Sequence, residues 1–128
     1  MSNPDFTTWL GVKKLKQEPG LYHAELILQP HHRKSLGWIH GVYTALLDTV
    51  MGNAVLSLRE SRGWEWGATA DIAVQFQRPA ETEKITGIGR VQKVGDHLVF
   101  VEGDVSDANG VLRCKAQGTW FVSGGAPP

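Results

Sequence analysis

One carboxylate stands where the sequence gives it no ordinary reason to be. Asp48 is flanked by Ala45, Leu46, Leu47, Val50 and Met51, in a run that reads as the middle of an apolar helix, where an acid is a poor helix former and costly to desolvate. Two readings follow. Either Asp48 lies on a stripe that reaches water or is satisfied by a neighbour such as Thr44, or it faces a cleft as a general base or nucleophile with a pKa raised by its apolar surroundings. The second gains from Gly37-Trp38-Ile39-His40-Gly41 just upstream. Gly41 near the first turn leaves backbone N–H groups free to point at an anion or oxyanion. An acid two turns further along can then act on a carbonyl held at the helix N-terminus, which is the chemistry of an acyl hydrolase.

Other constellations carry less. His31, His32 and His40 lie on or beside one loop without a carboxylate to complete a metal set, so no metal site is expected. Cys114 has Lys115 beside it and no indicated histidine partner, which suits a packed thiol. No Gly-x-Ser-x-Gly elbow occurs. Gly87-Ile88-Gly89 lacks the third glycine and the helix of a dinucleotide site and reads as a bend in a curved sheet. Of the five tryptophans, Trp38 is placed to wall a pocket and the others are read as packing at sheet ends and a subunit interface.

The elements that must position Asp48 follow from periodicity. Residues 41–62 are apolar on nearly the whole circumference of a helix about 30 Å long, which predicts a buried helix closed at Gly63. A short helix is expected over 3–10, with Asn3 as its cap and Gly11 closing it. A β-hairpin is expected over 12–29 around Pro19-Gly20, and a loop over 30–39. Four strands, 67–77, 83–94, 97–106 and 111–122, are read as a meander with turns at Gly95-Asp96 and Asn109-Gly110. The fold class is therefore α+β, with one curved antiparallel sheet wrapping one long central helix.

Composition bounds the rest. The chain has 128 residues, read as one domain over 1–128, with 13 Lys plus Arg against 13 Asp plus Glu and 41% hydrophobic residues. Such a chain buries a real core, is not disordered, and is not a basic nucleic-acid binder. A single cysteine, the lack of a leader-like N-terminus and the lack of any run near ~18 apolar residues lead us to expect a soluble, cytoplasmic protein without a membrane span.

At Gly37 to Asp48, and again at Leu47-Asp48-Thr49-Val50-Met51-Gly52, Ala68-Thr69-Ala70-Asp71, Phe76-Gln77-Arg78-Pro79-Ala80, around Gly95 and at Gly118-Thr119, the chain resembles the hotdog-fold acyl-CoA thioesterases. The branch it resembles is the phenylacetate-degradation (PaaI-like) one, with its Gly-x-x-His-Gly-Gly signature before a helix that carries an acid. The resemblance implies a hotdog fold and hydrolysis of acyl-CoA, with aromatic or medium-chain acyl groups favoured. It implies Asp48 as base or nucleophile, Gly41 as the donor that polarises the thioester carbonyl, and His40 as a shaper of that turn. Thr69 matches a position that in relatives reaches the acid of a neighbouring subunit.

The resemblance further implies a substrate pocket drawing on Trp38, Tyr43, Leu47 and Met51, with Lys34 near the acid and Arg78 and Lys93 as CoA-phosphate contacts. It implies no cofactor, and a homo-oligomer, at least a dimer joined edge to edge and in relatives often a tetramer. Three departures stand out. A single glycine follows His40, which puts Asp48 eight residues after the histidine where the family has nine. That either shifts the helix start, with Gly41 as the second glycine, or turns the acid about 100° from the donor, leaving the N–H of His40 or Val42 to serve. Lys34 replaces an amide side chain, and Asp96-His97 replaces a more basic pair. Two further readings compete with the hydrolase. One is a non-catalytic binder of acyl-CoA or aromatic acids. The other is a hotdog dehydratase or hydratase, disfavoured because the helix has no histidine after His40.

Overall fold

The computed structural model describes residues 5–33 and 39–124. The expected cap at Asn3 lies outside them, and the first helix, α1 (Phe6–Leu10), is capped by Asp5, whose carboxylate accepts the Thr8 N–H at 2.8 Å. Gly11, in the left-handed region at φ 95°, closes it. The hairpin follows as β1 (Lys13–Glu18) and β2 (Leu21–Ile27). A 3₁₀ turn at Pro30–His32 begins the loop, then come α2 (His40–Leu56), α3 (Arg59–Arg62), β3 (Trp66–Phe76), β4 (Lys84–Val94), β5 (Leu98–Asp107) and β6 (Leu112–Ser123).

Two expectations are corrected. The long helix is two helices: α2 ends at Leu56, where Ser57 turns its hydroxyl back to the Ala54 carbonyl and receives the Gly20 N–H at 2.8 Å, and α3 runs on separately. The four last strands do not form one meander. The sheet order is β1-β2-β4-β5-β6-β3, all antiparallel, so β4, β5 and β6 form a meander while β2 takes the place beside β4 and β3 crosses to pair with β6. The crossover leaves β3, eleven residues long and mostly exposed, as a free edge. The other edge, β1, is short and carries Lys13, Lys14 and Lys16, which discourage edge pairing.

The sheet curls around one side of α2. Leu46, Leu47, Val50, Met51, Ala54 and Val55 are fully buried against it, each large side chain contributing roughly 1.5–3 kcal/mol of burial. The helix lies so close that the sheet needs glycine beneath it. Gly89 and Gly103 are register partners, and a Cβ at Gly89 would fall on the Val50 carbonyl while one at Gly103 would sit 2.8 Å from Met51 Cγ. The Gly87-Ile88-Gly89 pair is thus a helix-approach site. The β5–β6 turn is organised by Asp107, whose carboxylate accepts the N–H groups of Asn109 and Val111 and the Arg113 guanidinium, at 2.9, 3.0 and 2.9 Å. Among the described residues no helix is long and apolar enough to cross a membrane.

Candidate active site

The sheet covers only one side of α2, which decides where Asp48 goes. The side chains on the far side, Thr44, Ala45, Asp48, Thr49 and Asn53, remain half or fully exposed in the single chain. Asp48 thus lies on a stripe that reaches water and opens onto a groove of about 580 Å³ lined by His40, Gly41, Thr44, Ala45, Asp48, Thr69 and Ile72. An apolar circumference concealed one open stripe, because alanine, glycine and threonine suit either environment.

Helix geometry brings the donor and the acid together. Residues seven apart are separated by about 10 Å along the axis and by only about 20° around it, so Gly41 and Asp48 share a face. Of the alternatives raised by the single glycine, the structure favours Gly41 in register with the acid. As the second residue of α2, Gly41 has no intrahelical acceptor for its N–H. Nothing lies within 4 Å of where its Cβ would be, so a substrate has room to approach. The first turn is fixed by the Tyr43 N–H donating to the Ile39 carbonyl and the Thr44 hydroxyl to the His40 carbonyl, both at 2.8 Å.

Thr69 enters from β3. Its hydroxyl donates to Asp48 Oδ1 at 2.7 Å within the same chain. A β-bulge at Ala70 makes this possible: the register shifts between Thr69 and Asp71, so Thr69 opposes Trp120 while Ile72 opposes Gly118, and both face the helix. The sequence held a clue, since the apolar face of this strand is Ile72, Val74 and Phe76, and an odd-numbered Thr69 joins it only across an inserted residue. At the other end of the groove the His40 ring packs on Phe76 at 4.2 Å between centroids.

The substrate-binding expectations divide. Tyr43, Leu47 and Met51 are fully buried on the sheet side, so they belong to the core and do not line the groove. Tyr43 donates its hydroxyl to the Arg78 carbonyl at 3.0 Å, and burial pushes its pKa up to about 12. Arg78 itself is exposed just beyond β3. Lys93 pairs in register with Phe100, and both are exposed. Lys34 and Trp38 lie outside the described residues. Cys114 is buried on β6 with a pKa pushed up to about 12 by desolvation, consistent with a packed, inert thiol.

A second groove of about 410 Å³ was not anticipated. It shares His40, Gly41 and Ala45 with the first and extends past Ile39 and Val42 to Phe6, Trp9, Leu10, His31, His32 and Arg33. Its sequence signal was the Phe6 and Trp9 pair, three apart on one face of a short helix.

Comparison with known proteins bears on this arrangement. The thioesterase superfamily model matches residues 38–114. A protein of Saccharolobus solfataricus named as a candidate esterase is 26% identical over 115 residues, covering 89% of this chain and 80% of its own. The structure superposes on the Escherichia coli PaaI protein of the phenylacetic acid degradation operon with a TM-score of 0.84 at 16% identity, over 94% of this chain and 85% of that one. A thioesterase family protein from Silicibacter pomeroyi matches with a TM-score of 0.83 at 24% identity, covering 93% and 89%. A conserved Pseudomonas aeruginosa protein matches at 0.81 and 22%, covering 94% of each chain. These likenesses establish the α+β hotdog fold.

Proposed function

The chain belongs to the thioesterase superfamily, and from that premise we propose that it hydrolyses acyl-CoA thioesters, with aromatic or medium-chain acyl groups, to the free acid and CoA. The observation that carries the reading is the Asp48 carboxylate, held by the Thr69 hydroxyl at 2.7 Å in a groove that also contains Gly41. The thioester carbonyl oxygen lies against the Gly41 N–H at the positive end of α2, where developing negative charge is stabilised. Asp48 either takes a proton from water as it attacks the carbonyl carbon or attacks directly, forming an anhydride that water then opens. In both routes the C–S bond breaks as the tetrahedral oxyanion collapses, the thiolate leaves and takes up a proton, and water supplies the new carboxylate oxygen. Thr69 fixes one carboxylate oxygen and leaves the other to act. His40 walls the mouth of the groove.

The free β3 edge supports a homo-oligomer, at least a dimer, in which two copies join their sheets through this strand and cover the open stripe of α2. A tetramer would pair such dimers again. Acyl-CoA as substrate and a lone buried thiol both suit a cytoplasmic setting.

The test is thiol release from a panel of phenylacetyl-, hydroxybenzoyl-, short-chain and medium-chain acyl-CoAs by the native protein and Asp48→Asn. Turnover by the native protein that the variant loses by about 10²-fold or more supports the reading and its residue. Binding of acyl-CoA without thiol release by the native protein would reduce it to a binding module.

A further inference from the structure

The second groove contains features the proposed reaction has not used. Phe6 and Trp9 are 60% and 61% exposed although both are large aromatics, and α1 buries only Leu10. Their rings pack at 6.1 Å, Trp9 continues to His31 at 6.1 Å, and His31 meets His32 edge-on at 4.3 Å, giving an unbroken wall of four rings. The floor of the groove is apolar, built from Leu10, Ile39 and Val42, all buried. The groove opens into the Asp48 groove at Gly41 and Ala45, so a group attached to a carbonyl at the Gly41 N–H extends into it directly.

We propose that this groove is the acyl subsite and that Trp9 and Phe6 are specificity-determining residues that select a planar aromatic acyl group. The inference rests on the thioesterase reading and replaces the buried Tyr43, Leu47 and Met51 as the source of specificity. A ring wall favours a flat π-face over an aliphatic chain because offset or edge-on packing adds to simple area burial. The polar groups of the wall do not point to a phosphate ligand. The Arg33 guanidinium is engaged by the Ala80 carbonyl at 3.3 Å. His32 accepts the Gln29 N–H at Nδ1, and desolvation together with its neighbour His31 lowers its pKa, so it is neutral near pH 7.

The experiment compares kcat and KM on phenylacetyl-CoA and butyryl-CoA for the native protein, Trp9→Ala, Trp9→Phe and Phe6→Ala. In parallel, the Trp9 indole N–H resonance, assigned by its loss in Trp9→Ala, is followed during titration with phenylacetate and with adenosine 3′,5′-bisphosphate. The expected result is a drop of about tenfold in the phenylacetyl-to-butyryl ratio of kcat/KM for Trp9→Ala, carried mainly by KM. A smaller drop is expected for Phe6→Ala, recovery is expected in Trp9→Phe, and the Trp9 signal should move with phenylacetate and not with the bisphosphate. An unchanged ratio, an equal loss on both substrates, or a Trp9 signal moved only by the bisphosphate overturns the subsite. A change of oligomeric state in Trp9→Ala, read by light scattering, also overturns it, because the rings would then be covered by a second copy. If the native protein releases no thiol from either substrate, the hydrolase reading falls on its own, and the phenylacetate titration still decides whether the groove takes an aryl group.

Discussion

The two sides of α2 differ in residue type and behave in opposite ways. Toward the sheet the helix presents Leu46, Leu47, Val50 and Met51 without exposure, pressed so close that Gly89 and Gly103 must lie beneath. Away from the sheet it presents Gly41, Thr44, Ala45 and Asp48, all accessible and lining a groove. The first side stores stability through close packing, whereas the second contributes little to stability and carries the groups we propose to react. Changes on one side should therefore leave the other nearly untouched, which is how the comparison can be broken.

The largest effect is expected from Gly89→Ala. The added methyl meets the Val50 carbonyl and backbone carbon, which cannot move aside as a flexible side chain would. Overpacking of this kind costs about 3 kcal/mol, seen as a lowered urea midpoint at unchanged m-value. If the variant melts like the native protein, the helix does not sit as close to the sheet as described. Asp48→Asn should do the reverse. It should slow thiol release about 10²-fold, or roughly 2.7 kcal/mol of barrier, while shifting stability by less than about 0.5 kcal/mol as an accessible site does. A large loss of stability in Asp48→Asn would show that the carboxylate serves the fold.

Thr69→Val sharpens the open side. It keeps the shape of a β-branched residue on the bulged strand and removes the 2.7 Å hydrogen bond to Asp48. Thiol release should fall about tenfold. Thr69→Ser should restore it. Unchanged thiol release in Thr69→Val would leave the threonine a structural role only.

Much of this fold could be read from the chain, and the parts that could not share a cause. The strands 67–77, 83–94, 97–106 and 111–122 emerged close to their true limits because alternation and turn residues are local signals. The place of β3 beside β6 was missed because pairing partners are set by the whole sheet, and the break after Leu56 was missed because Ser57 is held by Gly20 from a distant hairpin. Asp48 and Gly41 line one groove, but which of the two readings of the acid holds could not be decided from the chain, since periodicity counts apolar residues and cannot tell which stripe the sheet leaves uncovered. The misplacement of Tyr43, Leu47 and Met51 in the pocket has the same origin. Trp9 was read as packing and Phe6 was not singled out, because a five-residue helix gives too little pattern to say what its face meets.

Tyr43 provides the finest test, because it stands at the border between the two sides. It follows Gly41 by only two residues, yet it is fully buried and donates to the Arg78 carbonyl at 3.0 Å. Tyr43→Phe should cost about 1 kcal/mol of stability for the lost hydrogen bond and leave kcat/KM within about twofold on any acyl-CoA. Because burial raises the folded pKa above the ordinary value of 10 to about 12, the neutral hydroxyl's contribution is fully present below pH 10 and fades as pH climbs toward 12. Urea midpoints of the native protein and Tyr43→Phe, measured at pH 7 and pH 11, should differ most at pH 7 and converge at pH 11. A selective loss on aromatic substrates in Tyr43→Phe would move the acyl subsite to the sheet side of α2 and dissolve the division between its two faces.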